Sequence, residues 1–204
     1  MSSQSATYEK TVLKLAAKKT LLRARDIALH NVPTMVLTRM VASGKLERVA
    51  RGVYGLPHRP ISAHASLAEV IIRVPHGVVC LLSALNVHGI GTQSPFEVWL
   101  AIPQRMVAPK LDQPQLRVIR MSDIAMSAGV SFIRVDGMQV PVFNVAKTVA
   151  DCFKYRNKIG LDVALEALRE ARRARKVKID DLWRYAEINR VTNVMRPYLE
   201  ALIS

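Results

Sequence analysis

No run of apolar residues in this sequence approaches the roughly 20 needed to cross a bilayer. The polar start MSSQSATYEK has no signal-peptide core either, so a soluble cytoplasmic protein with no membrane partner is expected. Cysteine is scarce. Only Cys80 and Cys152 occur, in the apolar settings VVCLL and VADCF, which favours buried free thiols over a disulfide. They form no CxxC pair, and His30, His58, His64, His76 and His88 fall in no HExxH or clustered spacing. Neither a metal nor another cofactor is expected.

The common catalytic signatures are missing too: no Walker A loop, GxGxxG, GxSxG or paired-aspartate nucleotidyltransferase pattern is present. Nucleases often set an acidic pair and a lysine on adjacent strands. Here the strand-like FEVWLAI offers Glu97 with no E/D-x-K nearby. An enzyme is not expected.

Positive charge is what the chain has in excess. Lys plus Arg number 30 against 16 Asp plus Glu, a net +14 with a sequence pI of about 10.3. An anionic partner follows, and nucleic acid is the first candidate. The charge is uneven: the first 60 residues hold 11 basic side chains and only three acidic ones, Glu9, Asp26 and Glu47. Phosphate contact needs such a concentration.

That basic segment contains RARDIALHNVPTMVLTRMVASGKLERVARGVYGL, from Arg23 to Leu56, which reads as two short helices and a two-stranded ribbon. The second helix is expected to begin at Pro33, because proline loses no hydrogen bond in a first turn, and to end at Gly44. Leu37, Met40 and Val41 form its inward stripe, with Val36 at the margin. Thr34, Met35, Thr38 and Arg39 then lie on the outer face, short and cationic as entry into a major groove about 12 Å wide requires. Leu46, Val49, Val53, Tyr54 and Leu56 read as two strands around Arg51-Gly52. Arg48, Arg51 and Lys45 are placed on or near the hairpin tip, where a wing meets the sugar-phosphate backbone. Together these describe a winged helix-turn-helix, preceded by a helix over Ala6–Lys18 with Val12, Leu15 and Ala16 inward and Lys10, Lys14 and Lys18 along one side.

With 204 residues the chain has room for two small domains. The proline-broken GLPHRPISAHAS sets the expected boundary, giving residues 1–60 and 61–204. Beyond it, helices are read at Leu67–Val74 and Leu81–His88, with His88 favoured by the dipole at the helix end. Strands are read at Phe96–Ile102, Leu116–Arg120, Val130–Val135 and Val140–Val142, the last two joined by an Asp136-Gly137 turn. Asn144 caps a helix on whose outer side Lys147 and Asp151, at i and i+4, form an exposed ion pair. Three more helices close the chain. The fold class is α+β: an N-terminal winged helix-turn-helix, then a mixed α/β domain with a small sheet and a helical C-terminus.

GKLERVARGVYGLP, PHGVVCLLSAL with the later HGI, EVWLAIP, AKTVADCFKYRNKIGLDVALEALREA and MRPYLEAL resemble, in order, the AbiEi-family antitoxins of bacterial type IV toxin-antitoxin systems. The resemblance implies a winged helix that binds inverted repeats in its own promoter and represses it. It also implies a C-terminal domain required for antitoxin action against a nucleotidyltransferase-like toxin, without an obligatory stable complex. Carried onto this chain, Thr34, Met35, Thr38 and Arg39 read the groove, and Arg48 and Arg51 serve the wing. The family-like positions of the second domain are Ser83, His88, Lys147, Thr148, Asp151, Tyr155, Arg156 and Asn157. Two copies per operator are expected, as paired helix-turn-helix modules usually meet pseudo-palindromic sites. The alternative is a stand-alone winged-helix regulator whose second domain senses a ligand or partner.

Overall fold

The structure, a computed structural model, describes residues 3–19, 21–58 and 63–202. Two compact units emerge, Met1–Arg73 with Arg134–Gln139, and Val74–Ile133 with Val140–Ser204. The expected boundary at residue 60 lies outside the described residues. Helices and small sheets are mixed throughout, an α+β architecture. Among the described residues, no helix is long and apolar enough to cross a membrane.

In the first unit the elements are α1 (Ser3–Lys18), β1 (Leu21–Arg23), α2 (Ala24–Ala28), α3 (Thr34–Ala42), β2 (Glu47–Ala50), β3 (Val53–Gly55) and α4 (Ala65–Arg73). The strands form one antiparallel sheet in the order β1-β3-β2. The expected ribbon therefore has a third strand. With three residues and both leucines buried, β1 has no alternation to reveal it; only its pairing with β3 makes it a strand.

Pro33 stands just before α3 rather than inside it, at φ −63° and ψ 140°. The ring fixes φ, and that φ suits extended and helical backbone alike. At the other end the Lys45 N–H donates to Met40 O and the Gly44 N–H to Val41 O, both closing turns of a Schellman motif. Gly44, at φ 69°, takes the left-handed position where a Cβ is costly. The buried face is Val36, Leu37 and Met40, with Val41 only half-buried, so the stripe is rotated from the expected one. Periodicity leaves two neighbouring stripes equivalent. Val12, Leu22, Ile27 and Tyr54, the core that α3 packs into, choose between them.

The second unit carries β4 (Val78–Val79), α5 (Leu81–His88), β5 (Val98–Pro103), β6 (Leu116–Met121), α6 (Asp123–Ser127), and β7 (Val130–Val135) and β8 (Met138–Phe143) apart from their shared tip Arg134–Gln139, which groups with the first. Then come α7 (Val145–Lys154), α8 (Arg156–Ile159), α9 (Leu161–Arg173), α10 (Ile179–Ile188) and α11 (Thr192–Glu200). Its mixed sheet runs β6-β5-β4-β8-β7, with β4 antiparallel to β5 and parallel to β8, and β5 parallel to β6. Asp136 and Gly137 turn β7 into β8 with φ of 48° and 76°, the two positive values a tight hairpin turn demands.

One helix organises this unit. The Asn144 side chain caps α7 by accepting from the Lys147 N–H at 2.9 Å, and α5, α8, α9, α10 and α11 all pack on it. Every residue from Ala146 to Phe153 is buried, so α7 has no outer side. The expected exposed pair of Lys147 and Asp151 is corrected accordingly: both side chains are 0% exposed. Cys80 and Cys152 are buried free thiols, and burial raises the pKa of each.

Candidate nucleic-acid interface and buried ion pair

Because Val36, Leu37 and Met40 lock one side of α3 into the core, the opposite side is presented outward. Thr34, Met35, Thr38 and Arg39 all lie on that exposed face, with Met35 70% exposed. An exposed methionine there can offer its methyl group to thymine methyls in a major groove. Arg39 is held to α1: its Nη1 donates to Ser5 Oγ at 3.0 Å.

Arg51 occupies the turn between β2 and β3 and is exposed. The turn is tied down where the Ala24 N–H donates to Gly52 O at 2.8 Å. Arg48 is exposed on β2 opposite Tyr54, next to an irregularity in register that strengthens local twist. Lys45 differs from expectation. It sits at the opposite end of the hairpin from the turn, and its Nζ pairs with Glu9 Oε2 of α1 at 2.5 Å. A lysine already neutralised there gives less to a phosphate than Arg51 does.

The expected residues of the second unit divide by what they touch. Ser83 Oγ accepts from the Trp99 N–H at 2.9 Å and so pins α5 to β5. His88 Nε2 and Thr148 Oγ1 both donate to Phe143 O, at 2.7 and 3.1 Å. Tyr155 Oη donates to Arg120 O at 3.3 Å, and Arg156 Nη1 to Phe153 O at 2.9 Å. Asn157 is exposed on α8. Burial pushes the Tyr155 phenol up to about 12, so it stays a donor near neutrality.

Lys147 and Asp151 form the centre of the unit. Lys147 Nζ lies 2.5 Å from Asp151 Oδ1 and 4.4 Å from the Phe143 ring centroid. Asn189 Nδ2 donates to the same Oδ1 at 2.8 Å, and Lys154 Nζ donates to Asn189 O at 2.8 Å. Burial raises the Asp151 carboxyl above its ordinary range, while the Lys147 ammonium and the bonds from Lys147 and Asn189 pull it back. Asn189 carries no local sequence signal. It follows α10 and reaches Asp151 only through packing.

His88 corrects a further expectation. Burial, assisted by the Lys176 cation, lowers its pKa against the hydrogen bond to Phe143 O, so the ring is held neutral rather than favoured as a cation. A depressed folded pKa gives stability that is present above the unfolded value of about 6.5 and lost as pH falls through the folded value. Urea unfolding followed from about pH 7.5 to 5 is expected to show a steeper loss for the native chain than for His88→Gln, which cannot titrate. Equal slopes would contradict it.

The crystal structure of the RV2827C protein from Mycobacterium tuberculosis resembles this chain with a TM-score of 0.59 at 14% identity, over 89% of this chain and 71% of that one. At that identity the likeness is one of fold. No curated protein matches the chain. A protein-family model matches part of it, from the middle of α1 to just past β3, the part that holds α3 and the hairpin arginines. Residues 10–57 match the AbiEi antitoxin family of transcriptional regulators.

Proposed function

We propose that this chain is the cytoplasmic antitoxin of a type IV toxin-antitoxin pair and the DNA-binding autorepressor of its own operon. The observation that carries the reading is the outward face of α3, with Thr34, Met35, Thr38 and Arg39 on a helix anchored from behind by Val36, Leu37 and Met40. With the β2–β3 hairpin as its wing, this segment serves as a winged helix-turn-helix. The family match at residues 10–57 supports the assignment. DNA binding lies within residues 1–60. Opposition to a nucleotidyltransferase-like toxin is the task of residues 61–204, with two protein copies on each inverted repeat.

Gel-shift titration of the operon promoter tests the first half: binding is expected to saturate at two chains per full site, and saturation at one would overturn the stoichiometry. Growth on co-expression with the adjacent toxin gene tests the second half. The full chain is expected to rescue, and a triple Arg39→Ala, Arg48→Ala, Arg51→Ala variant to rescue while no longer repressing. Promoter binding without any rescue would leave only the regulator.

A further inference from the structure

The second unit contains a cleft of about 500 Å³, within the usual range for small-molecule sites. Its walls come from the end of β6, the start of α6, the last turn of α7 and the C-terminal turn of α10. Three cations line it, Arg120, Lys154 and Arg190, against one rim carboxylate, Glu187. The Lys154 ammonium is fixed by its bond to Asn189 O at 2.8 Å.

Two features indicate what such a cleft is built to hold. Asp151, fully buried and among the lining residues, accepts at Oδ1 from Lys147 and Asn189, while its Oδ2 is buried with no hydrogen-bond partner. A buried carboxylate oxygen without a donor is unfavourable, and a donor arriving in the cleft would complete it. Arg190 adds the second. It closes α10 at φ 57°, in the position past a helix end that ordinarily takes glycine, with its N–H donating to Glu187 O and the Val191 N–H to Ala186 O. Glycine would suit that backbone better, and the arginine in its place sets a guanidinium at the cleft.

We propose that this cleft binds a phosphorylated small molecule of nucleotide size, its phosphate held by Arg120, Lys154 and Arg190 and a hydroxyl or amino donor reaching Asp151. Guanidinium groups match phosphate oxygens in paired hydrogen bonds, whereas a bare phosphate ion carries no second group for the cleft floor. The site stands on the second unit alone and does not depend on the DNA-binding reading.

Calorimetric titration of the full chain with AMP, ribose 5-phosphate, inorganic phosphate and adenosine tests it directly. An organic phosphate is expected to bind at least about tenfold more tightly than inorganic phosphate, with adenosine weakest. Arg190→Gly is the sharp variant. Glycine suits the left-handed backbone, so thermal unfolding is expected to hold or rise while affinity falls by about tenfold or more. Arg120→Ala is expected to lose affinity with no change in unfolding. Absence of binding by both organic phosphates, parity between AMP and inorganic phosphate, or unchanged affinity in both variants would each overturn the proposal.

Discussion

Asp151→Ala is expected to destabilise the chain by about 3–5 kcal/mol, read as a shift in urea unfolding at neutral pH. The partner explains the size. Lys147 is 0% exposed among the buried residues Ala146–Phe153, so its ammonium is left in the core without its counter-charge once the carboxylate is gone. The Phe143 ring at 4.4 Å offsets only part of that charge. Asn189 Nδ2 also loses its acceptor. A loss below about 1 kcal/mol would be the signature of an exposed pair and would contradict the burial.

The reciprocal change behaves differently with pH. Lys147→Met leaves a carboxyl that burial already raises, and removing the ammonium, which lowers it, pushes it higher still. A raised folded pKa means stability fully present below the ordinary value of 3.8 and lost as pH rises through the folded value. The deficit of Lys147→Met relative to the native chain should therefore shrink as pH falls, because Asp151 takes up a proton and keeps its bond from Asn189. That of Asp151→Ala should not shrink, since no carboxyl remains there to take up a proton. A double Lys147→Met, Asp151→Leu variant should recover most of the loss, as apolar replacement of a buried pair usually does. Parallel pH profiles for the two single variants would refute this account.

Local chemistry made part of this fold legible. Gly44 and Gly89 stop helices, Asn144 starts one and Asp136-Gly137 turns a hairpin, each through groups only a few residues apart. What escaped reading depends on distant partners. The strands β1 and β4 exist only as pairings, with β3 and with β5 and β8, because two or three residues carry no period. The outward face of α3 could be read as the complement of its apolar stripe, but not that Glu9, 36 positions from Lys45, would occupy that lysine. Lys147 and Asp151 lie in the core rather than on an outer side for a related reason. An i, i+4 charge pair has the same spacing on a surface and in a core, and only the five helices around α7 decide between them.

The second large effect concerns DNA. Arg39→Ala is expected to weaken operator binding by about 1–3 kcal/mol and to relax sequence preference, as loss of a base contact in the major groove does. Arg51→Ala should weaken operator and random DNA alike and reduce the salt dependence by about one counterion, since the exposed turn meets phosphate rather than base edges. Their surroundings sharpen the contrast. Arg39 must exchange its bond to Ser5 Oγ for DNA, so Ser5→Ala, which frees it, should leave affinity unchanged or raise it slightly. Lys45 is already paired with Glu9, so Lys45→Ala should cost less than Arg51→Ala, and Glu9→Gln should strengthen binding by releasing that cation. Equal losses on specific and random DNA for Arg39→Ala and Arg51→Ala would remove the division between a reading helix and a clamping hairpin. An effect of Ser5→Ala as large as that of Arg39→Ala would mean that Arg39 acts by bracing α1 rather than by touching the groove.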